Sequence, residues 1–214
     1  PDGDDELLCN IQPCPHNCKC HAGVLICQNS TRLNNFNTIS RKYVRYLNIK
    51  NTIITLLYSA LKGYVNLYWL QLENISNMDV CLYLKKYKKS EKFLPNLIHL
   101  IVIDNYQETL KDFCFKYFPK LLNLKLVSNN IRYIQLKTFN GLKELESLNI
   151  SDNMISTISA KAFLPLTSLR LIDIRQNDIF IIYHTSVYVM QSLIMIYCIC
   201  TYFRVYQISR FRNF

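Results

Sequence analysis

Three consecutive stretches of the 214-residue chain, beginning at Leu121, Leu145 and Leu169, carry one pattern at a spacing of 24 residues. The pattern is L-x-x-L-x-L-x-x-N-x-I-x-x-I. It is filled first by Leu121, Leu124, Leu126, Asn129, Ile131 and Ile134, and then by Leu145, Leu148, Ile150, Asn153, Ile155 and Ile158. The third copy has Leu169, Ile172, Ile174, Asn177, Ile179 and Ile182. Self-similarity at a fixed period of this size means stacked units, not a single globular core. Alternating apolar residues at positions four and six form a short strand with one face inward, and the later apolar positions turn the chain back through the core. One such coil cannot bury its apolar face, so coils stack, their strands pair in parallel and a curved sheet results. The recurring Asn stands where the chain leaves the strand, and its amide can pair backbone groups of adjacent coils. Asn is common in turns, but Asn105, Asn129, Asn153 and Asn177 share one register.

The period reaches beyond the three clearest copies. Phe115, Phe139, Phe163 and Val187 recur at the nineteenth position, with Phe118, Leu142, Leu166 and Met190 three residues on. Backwards it includes Leu97, Leu100, Val102 and Asn105, then Leu67, Leu70 and Leu72, then Val44, Leu47 and Ile49. The block from Leu67 runs 30 residues and has Ile75 at the Asn position. This pattern resembles that of leucine-rich repeats. The resemblance implies an α/β repeat fold, a horseshoe solenoid with a parallel concave sheet and a cap at its amino-terminal end.

Half the residues are hydrophobic, which is ample for burial, and only four Gly and six Pro leave no flexible linker. The net charge of +10 has no single basic face in the sequence to suit nucleic acid, so no nucleic-acid partner is expected. Lys85, Lys86, Lys88, Lys89 and Lys92 form the densest basic run, read as a solvated loop or a heparin or acidic-lipid patch. His16, His21, His99 and His184 are scattered, and neither catalytic spacing nor a phosphate-binding fingerprint occurs, so an enzyme is not expected.

Nine cysteines are present, five of them between Cys9 and Cys27, which suggests disulfides in an oxidising compartment. Sequons at Asn29, Asn74 and Asn149 agree with an extracellular location. The cysteine cluster with His16 and His21 also admits a zinc reading, and four cysteines allow three pairings. Cys81 and Cys114 lie in neighbouring long coils and are either bonded or buried as free thiols.

Cys14-Pro-His-Asn-Cys18-Lys-Cys20, followed by Val24-Leu-Ile-Cys27, resembles the cysteine-rich amino-terminal module of extracellular leucine-rich-repeat proteins. That resemblance implies bonds Cys14–Cys20 and Cys18–Cys27. Ahead of it, Asp2-Gly-Asp-Asp-Glu-Leu-Leu-Cys9 resembles the end of a low-density-lipoprotein-receptor class A module. The resemblance assigns Asp5 and Glu6 as calcium ligands of the intact module. The chain reads as a fragment of a longer protein whose upstream part would pair with Cys9. The expected division is therefore 1–9 as module remnant, 14–43 as cap, 44–190 as about six repeats, and 191–214 as a degenerate final repeat or an apolar tail with a basic end.

This order of modules is similar to the ectodomain of relaxin-family receptors, which are leucine-rich-repeat G-protein-coupled receptors. The resemblance implies a plasma-membrane receptor whose concave sheet binds a peptide or protein hormone and whose seven-helix domain signals. Such receptors hold the hormone with Trp, aliphatic and acidic residues at the third and fifth strand positions. Carried over, this points to Trp69, Ile101 and Asp173, with Gln71, His99 and Ile103 beside them. Lys125, Val127 and Leu171 depart from the acidic pairs of that family. Packing of Trp69 against Tyr46 or Ile101 is the rival role. A secreted or cell-surface matrix protein of the proteoglycan kind shares the cap and remains the alternative. Asn149 points outward from the concave sheet, where a glycan would crowd its strand. From Ile179 to Phe203 no formal charge occurs, so this segment reads as a further coil or as a membrane span.

Overall fold

The computed structural model describes residues 14–15, 17–29, 41–54, 61–76, 80–81, 93–179 and the backbone of 195–197. Asp5, Glu6, Cys9, His16 and the basic run 85–92 lie outside the described residues. A short antiparallel hairpin opens the fold, β1 (Cys18–His21) against β2 (Val24–Gln28). Every later pairing is parallel: β3 (Tyr46–Ile53), β4 (Trp69–Ser76), β5 (His99–Ile103), β7 (Asn123–Val127), β9 (Ser147–Asn149), β11 (Leu171–Asp173) and β12 (Met195–Tyr197) follow β2 in order. A second sheet of two-residue strands, β6 (Thr109–Leu110), β8 (Tyr133–Ile134) and β10 (Thr157–Ile158), takes the remaining elements. Both sheets keep the repeat register, as Leu100 pairs with Leu124 and Leu124 with Leu148. β12 pairs Ile196 with Ile172, so the coil phase runs one strand further, into the stretch that also reads as a membrane span. No helix among the described residues is long and apolar enough to cross a membrane.

Alternation explains the strands. In β5 the pattern is half-buried at His99, Ile101 and Ile103 and buried at Leu100 and Val102, so each strand turns one edge inward and one onto an open face. The inward residues form one continuous core from Leu25 to Ile179. Within it Phe115, Phe139 and Phe163 stack at centroid separations of 6.1 and 5.8 Å, a column produced by the nineteenth position of successive coils.

The Asn residues bond one coil to the next. Asn129 is fully buried; its Nδ2 donates to Val102 O in the preceding coil at 2.9 Å and to Val127 O in its own at 2.7 Å. Its Oδ1 accepts the Asn105 N–H at 3.3 Å. Asn153 repeats this with Leu126 O, and accepts from Asn129 and Ile131 N–H at 2.9 and 3.0 Å. Asn177 reaches Ile150 O and accepts from Ile155 N–H, while Asn105 reaches Leu72 O and accepts from Ile75 N–H. Two earlier coils have Thr52 and Ile75 at this position, and there the strands lengthen to eight residues so that Thr52 and Ile75 pair through backbone instead.

The position before the Asn, or before its equivalent, is left-handed in each coil from the cap to β11. Asn29, Asn51, Asn74, Asp104, Ser128, Asp152 and Gln176 have φ between 49° and 57°. Asn and Asp tolerate this conformation better than most residues, which accounts for five of the seven. Gly141, at φ 101°, marks an outer turn where an added Cβ would lie 2.9 Å from Lys116 Cα.

The cap is stapled by Cys14–Cys20 and Cys18–Cys27, and Cys81–Cys114 joins the 30-residue coil to the coil that follows it. With all four cap cysteines in disulfides, no thiolate remains there for zinc, and among the described residues no group of three His, Cys, Asp or Glu could hold a metal ion.

Replacing Asn129 with Ala should strand two carbonyls and one N–H in the core and lower stability by about 3 kcal/mol. Urea unfolding of the purified chain measures it; a loss below about 1 kcal/mol would mean that water reaches these groups.

Candidate ligand-binding face

The open face of the main sheet is set by three rows of side chains. At the third position stand Val24, Tyr46, Trp69, His99, Asn123, Ser147 and Leu171; at the fifth, Ile26, Asn48, Gln71, Ile101, Lys125, Asn149 and Asp173. Ile103 and Val127 follow at the seventh position of β5 and β7. Registered pairing brings row neighbours side by side. Tyr46 and Trp69 stack at 5.6 Å with planes 23° apart, and Trp69 and His99 lie 4.5 Å apart. Trp69 therefore packs against Tyr46 and faces His99 across β4 and β5.

Six candidate positions were legible in the sequence, and five of them form one patch. Trp69 and Gln71 on β4 adjoin His99, Ile101 and Ile103 on β5, and all five are half-buried. Val127 extends the apolar part onto β7. The rim is polar: Lys50 and Glu73 form an ion pair, and Gln71 Nε2 donates to Glu73 Oε2 at 3.5 Å. Lys125 is exposed on the other side. Tyr46, Asn48 and Val127 were not singled out as ligand candidates in the sequence, although Tyr46 has the same third position as Trp69. Trp69 Nε1 and Asn48 Oδ1 are buried without a hydrogen-bond partner.

Asp173 stands apart on β11, three strands from β5. Arg175 Nε and Nη2 donate to its two oxygens at 2.9 and 2.7 Å. The Arg175 hydrogen bonds hold its carboxyl below the usual range, against burial, with Lys125 adding a small push the same way. Both of its oxygens are thus engaged within the chain. Asn149 lies on the open face of β9, and its Oδ1 accepts from both Ser151 N–H and Ser151 Oγ, at 2.9 and 2.8 Å.

Residues 119–179 match the family model described as leucine rich repeat. No curated protein matches the sequence. Among solved structures, the chain is similar to TLR13 in its complex with ssRNA13, with a TM-score of 0.55 and 19% identity over 80% of this chain and 31% of that one. It is similar to Toll of Drosophila in complex with Spatzle, with a TM-score of 0.57 and 21% identity over 78% of this chain and 21% of that one. Internalin C2 of Listeria monocytogenes gives a TM-score of 0.53 and 15% identity, covering 83% of this chain and 81% of that one. The chain spans less than a third of the TLR13 and Toll chains, and at these identities the likeness is one of fold.

Burial lowers the His99 pKa below its ordinary value of 6.5. A depressed folded value means that its contribution to stability is full above pH 6.5 and is lost as pH falls through the folded value. Acidification from pH 7 to 5 should therefore destabilise the chain more than its His99→Gln variant, as read by urea midpoints; equal losses in the two would refute a half-buried, neutral imidazole. The repeat match and the stacked parallel coils together make this chain a leucine-rich-repeat solenoid with a disulfide-stapled amino-terminal cap.

Proposed function

We propose that the chain is part of the extracellular ligand-binding ectodomain of a hormone receptor of the leucine-rich-repeat G-protein-coupled class. The observation that carries ligand capture is the patch of Trp69, His99, Ile101, Ile103 and Val127, an aromatic and aliphatic centre inside the rim of Lys50, Glu73, Gln71 and Lys125. Interfaces concentrate their energy in such centres, where an apolar anchor is desolvated and the polar rim excludes water. A peptide or protein is the ligand class, because the patch is broad and lies on an open sheet.

The receptor class is supported by the resemblance of Asp2 to Cys9 to a class A module directly ahead of the cap, with Asp5 and Glu6 as its calcium ligands when the module is intact. The disulfides and the sequons at Asn29, Asn74 and Asn149 suit the outside of a cell. A glycan at Asn149 shields β9 and leaves β3 to β7 for the ligand. Asp173, named with the patch as a ligand candidate, stands three strands from Ile101 with both oxygens engaged by Arg175. Signalling runs through a seven-helix domain elsewhere in the receptor.

A panel of two-chain peptide hormones, titrated against the purified chain, tests this reading. One member should bind, and Trp69→Ala with Ile101→Ala should weaken it by about 2 kcal/mol, roughly thirtyfold in Kd. Unchanged affinity in the folded double variant would remove the patch from the site. Failure of every hormone to bind would remove the hormone-receptor class and favour a matrix protein.

A further inference from the structure

The outer turn at 111–117 carries an arrangement that neither the repeat nor the open face requires. Phe113 has φ 61° yet is 40% exposed. A bulky aromatic residue in the left-handed region is strained, and such strain persists where the surroundings over-determine it. Here they do. Phe113 N–H donates to Lys137 O in the next coil at 2.9 Å, and Phe113 O accepts the Lys116 N–H at 3.3 Å. Asp112 N–H donates to Gln135 Oε1 at 3.1 Å, while Asp112 Oδ1 accepts the Lys137 N–H at 3.0 Å. The turn is stitched to its neighbour, and the ring is held at the surface.

Ammonium groups surround that ring. Lys116 Nζ lies 6.0 Å from the Phe113 centroid and 4.7 Å from that of Tyr117, and Lys137 Nζ lies 5.6 Å from Phe113. Lys161 is exposed at the same coil position as Phe113 and Lys137, in the following coil, where it too is left-handed at φ 65°. Lys116, Lys137 and Lys161 thus place one exposed ammonium on each of three successive coils. The acid among them, Asp112, has one carboxylate oxygen engaged by the backbone.

We propose that this ridge is a second binding site, for a sulfated polysaccharide chain, with Lys116, Lys137 and Lys161 pairing with successive sulfates and Phe113 packing on a sugar ring. A polyanion with repeating charge suits cations repeated coil by coil. Leu136 and Leu164, exposed on the next outer turns, make an anionic bilayer the competing partner. Inserting Phe113 into lipid would drag two ammonium groups with it, and charges in the apolar layer are costly.

Binding of the whole chain to immobilised heparin tests the site. Lys116→Gln with Lys137→Gln should raise Kd about tenfold and cut the slope of log K against log salt by about two. Lys42→Gln with Lys143→Gln, both exposed and outside the ridge and the open face, removes the same net charge elsewhere and should leave Kd unchanged. Phe113→Asn should weaken heparin binding about threefold while keeping or raising the melting temperature, because Asn accepts the left-handed backbone. A ring that serves only the fold would give the reverse, a lower melting temperature with unchanged heparin binding, and that would overturn the proposal. Equal losses from the two lysine pairs, equal affinity for desulfated heparin, or a preference for phosphatidylserine vesicles over heparin would overturn it as well.

Discussion

Side-chain amides bonded across coils hold the repeats in step. Where a coil leaves its strand, backbone groups of two coils face each other in the core with no water to satisfy them, and an unpaired buried group costs about 1–3 kcal/mol. Asn105, Asn129, Asn153 and Asn177 each close that gap by donating to a carbonyl of the coil before and accepting an N–H from it. An apolar side chain in their place would leave the groups stranded. The coils with Thr52 and Ile75 show the other solution, in which longer strands carry the pairing further. Either way the outcome is the same constant step from coil to coil.

That constant step turns a local sequence position into a row on the surface. Third-position residues become neighbours however far apart they stand in the chain, so Tyr46, Trp69 and His99 pack in a row although a 30-residue coil separates the last two strands. The open face is therefore chemically divided along the solenoid axis. Its amino-terminal half is aromatic and aliphatic, and its carboxyl-terminal half is polar, with Asn149 and the Asp173–Arg175 pair. The same logic on the outer turns sets Phe113 beside Lys137.

The two surfaces differ in how they are stiffened. The open face rests on paired strands whose inward residues are buried in the core, so its side chains gain rigidity from packing. The outer turn at Phe113 has no strand beneath it and relies on hydrogen bonds to the next coil. Disulfides reinforce this scheme: two hold the cap over the first core residues, and Cys81–Cys114 ties the long coil that interrupts the period to the next coil.

Much of the fold was legible in the residues. Alternation has a period of two and the coil a period of 24, and both are local properties of the chain. Leu124, Leu126 and Asn129 could thus be assigned to core and ladder from their spacing alone. The cap cysteines were legible as a group, because clustering signals cross-links, whereas their pairing needed a family resemblance. Tertiary structure alone decided which side chains meet across coils of unequal length. Trp69 could be placed on the open face, but not against both Tyr46 and His99. Asp173 had the chemistry of a free ligand carboxylate, and only folding showed Arg175 curling back onto it. Phe113 could not be read from spacing, since its left-handed backbone comes from hydrogen bonds to a neighbouring coil. The division follows from where each determinant acts. Periodicity is written along the chain, but contacts between rows depend on how successive coils are superimposed.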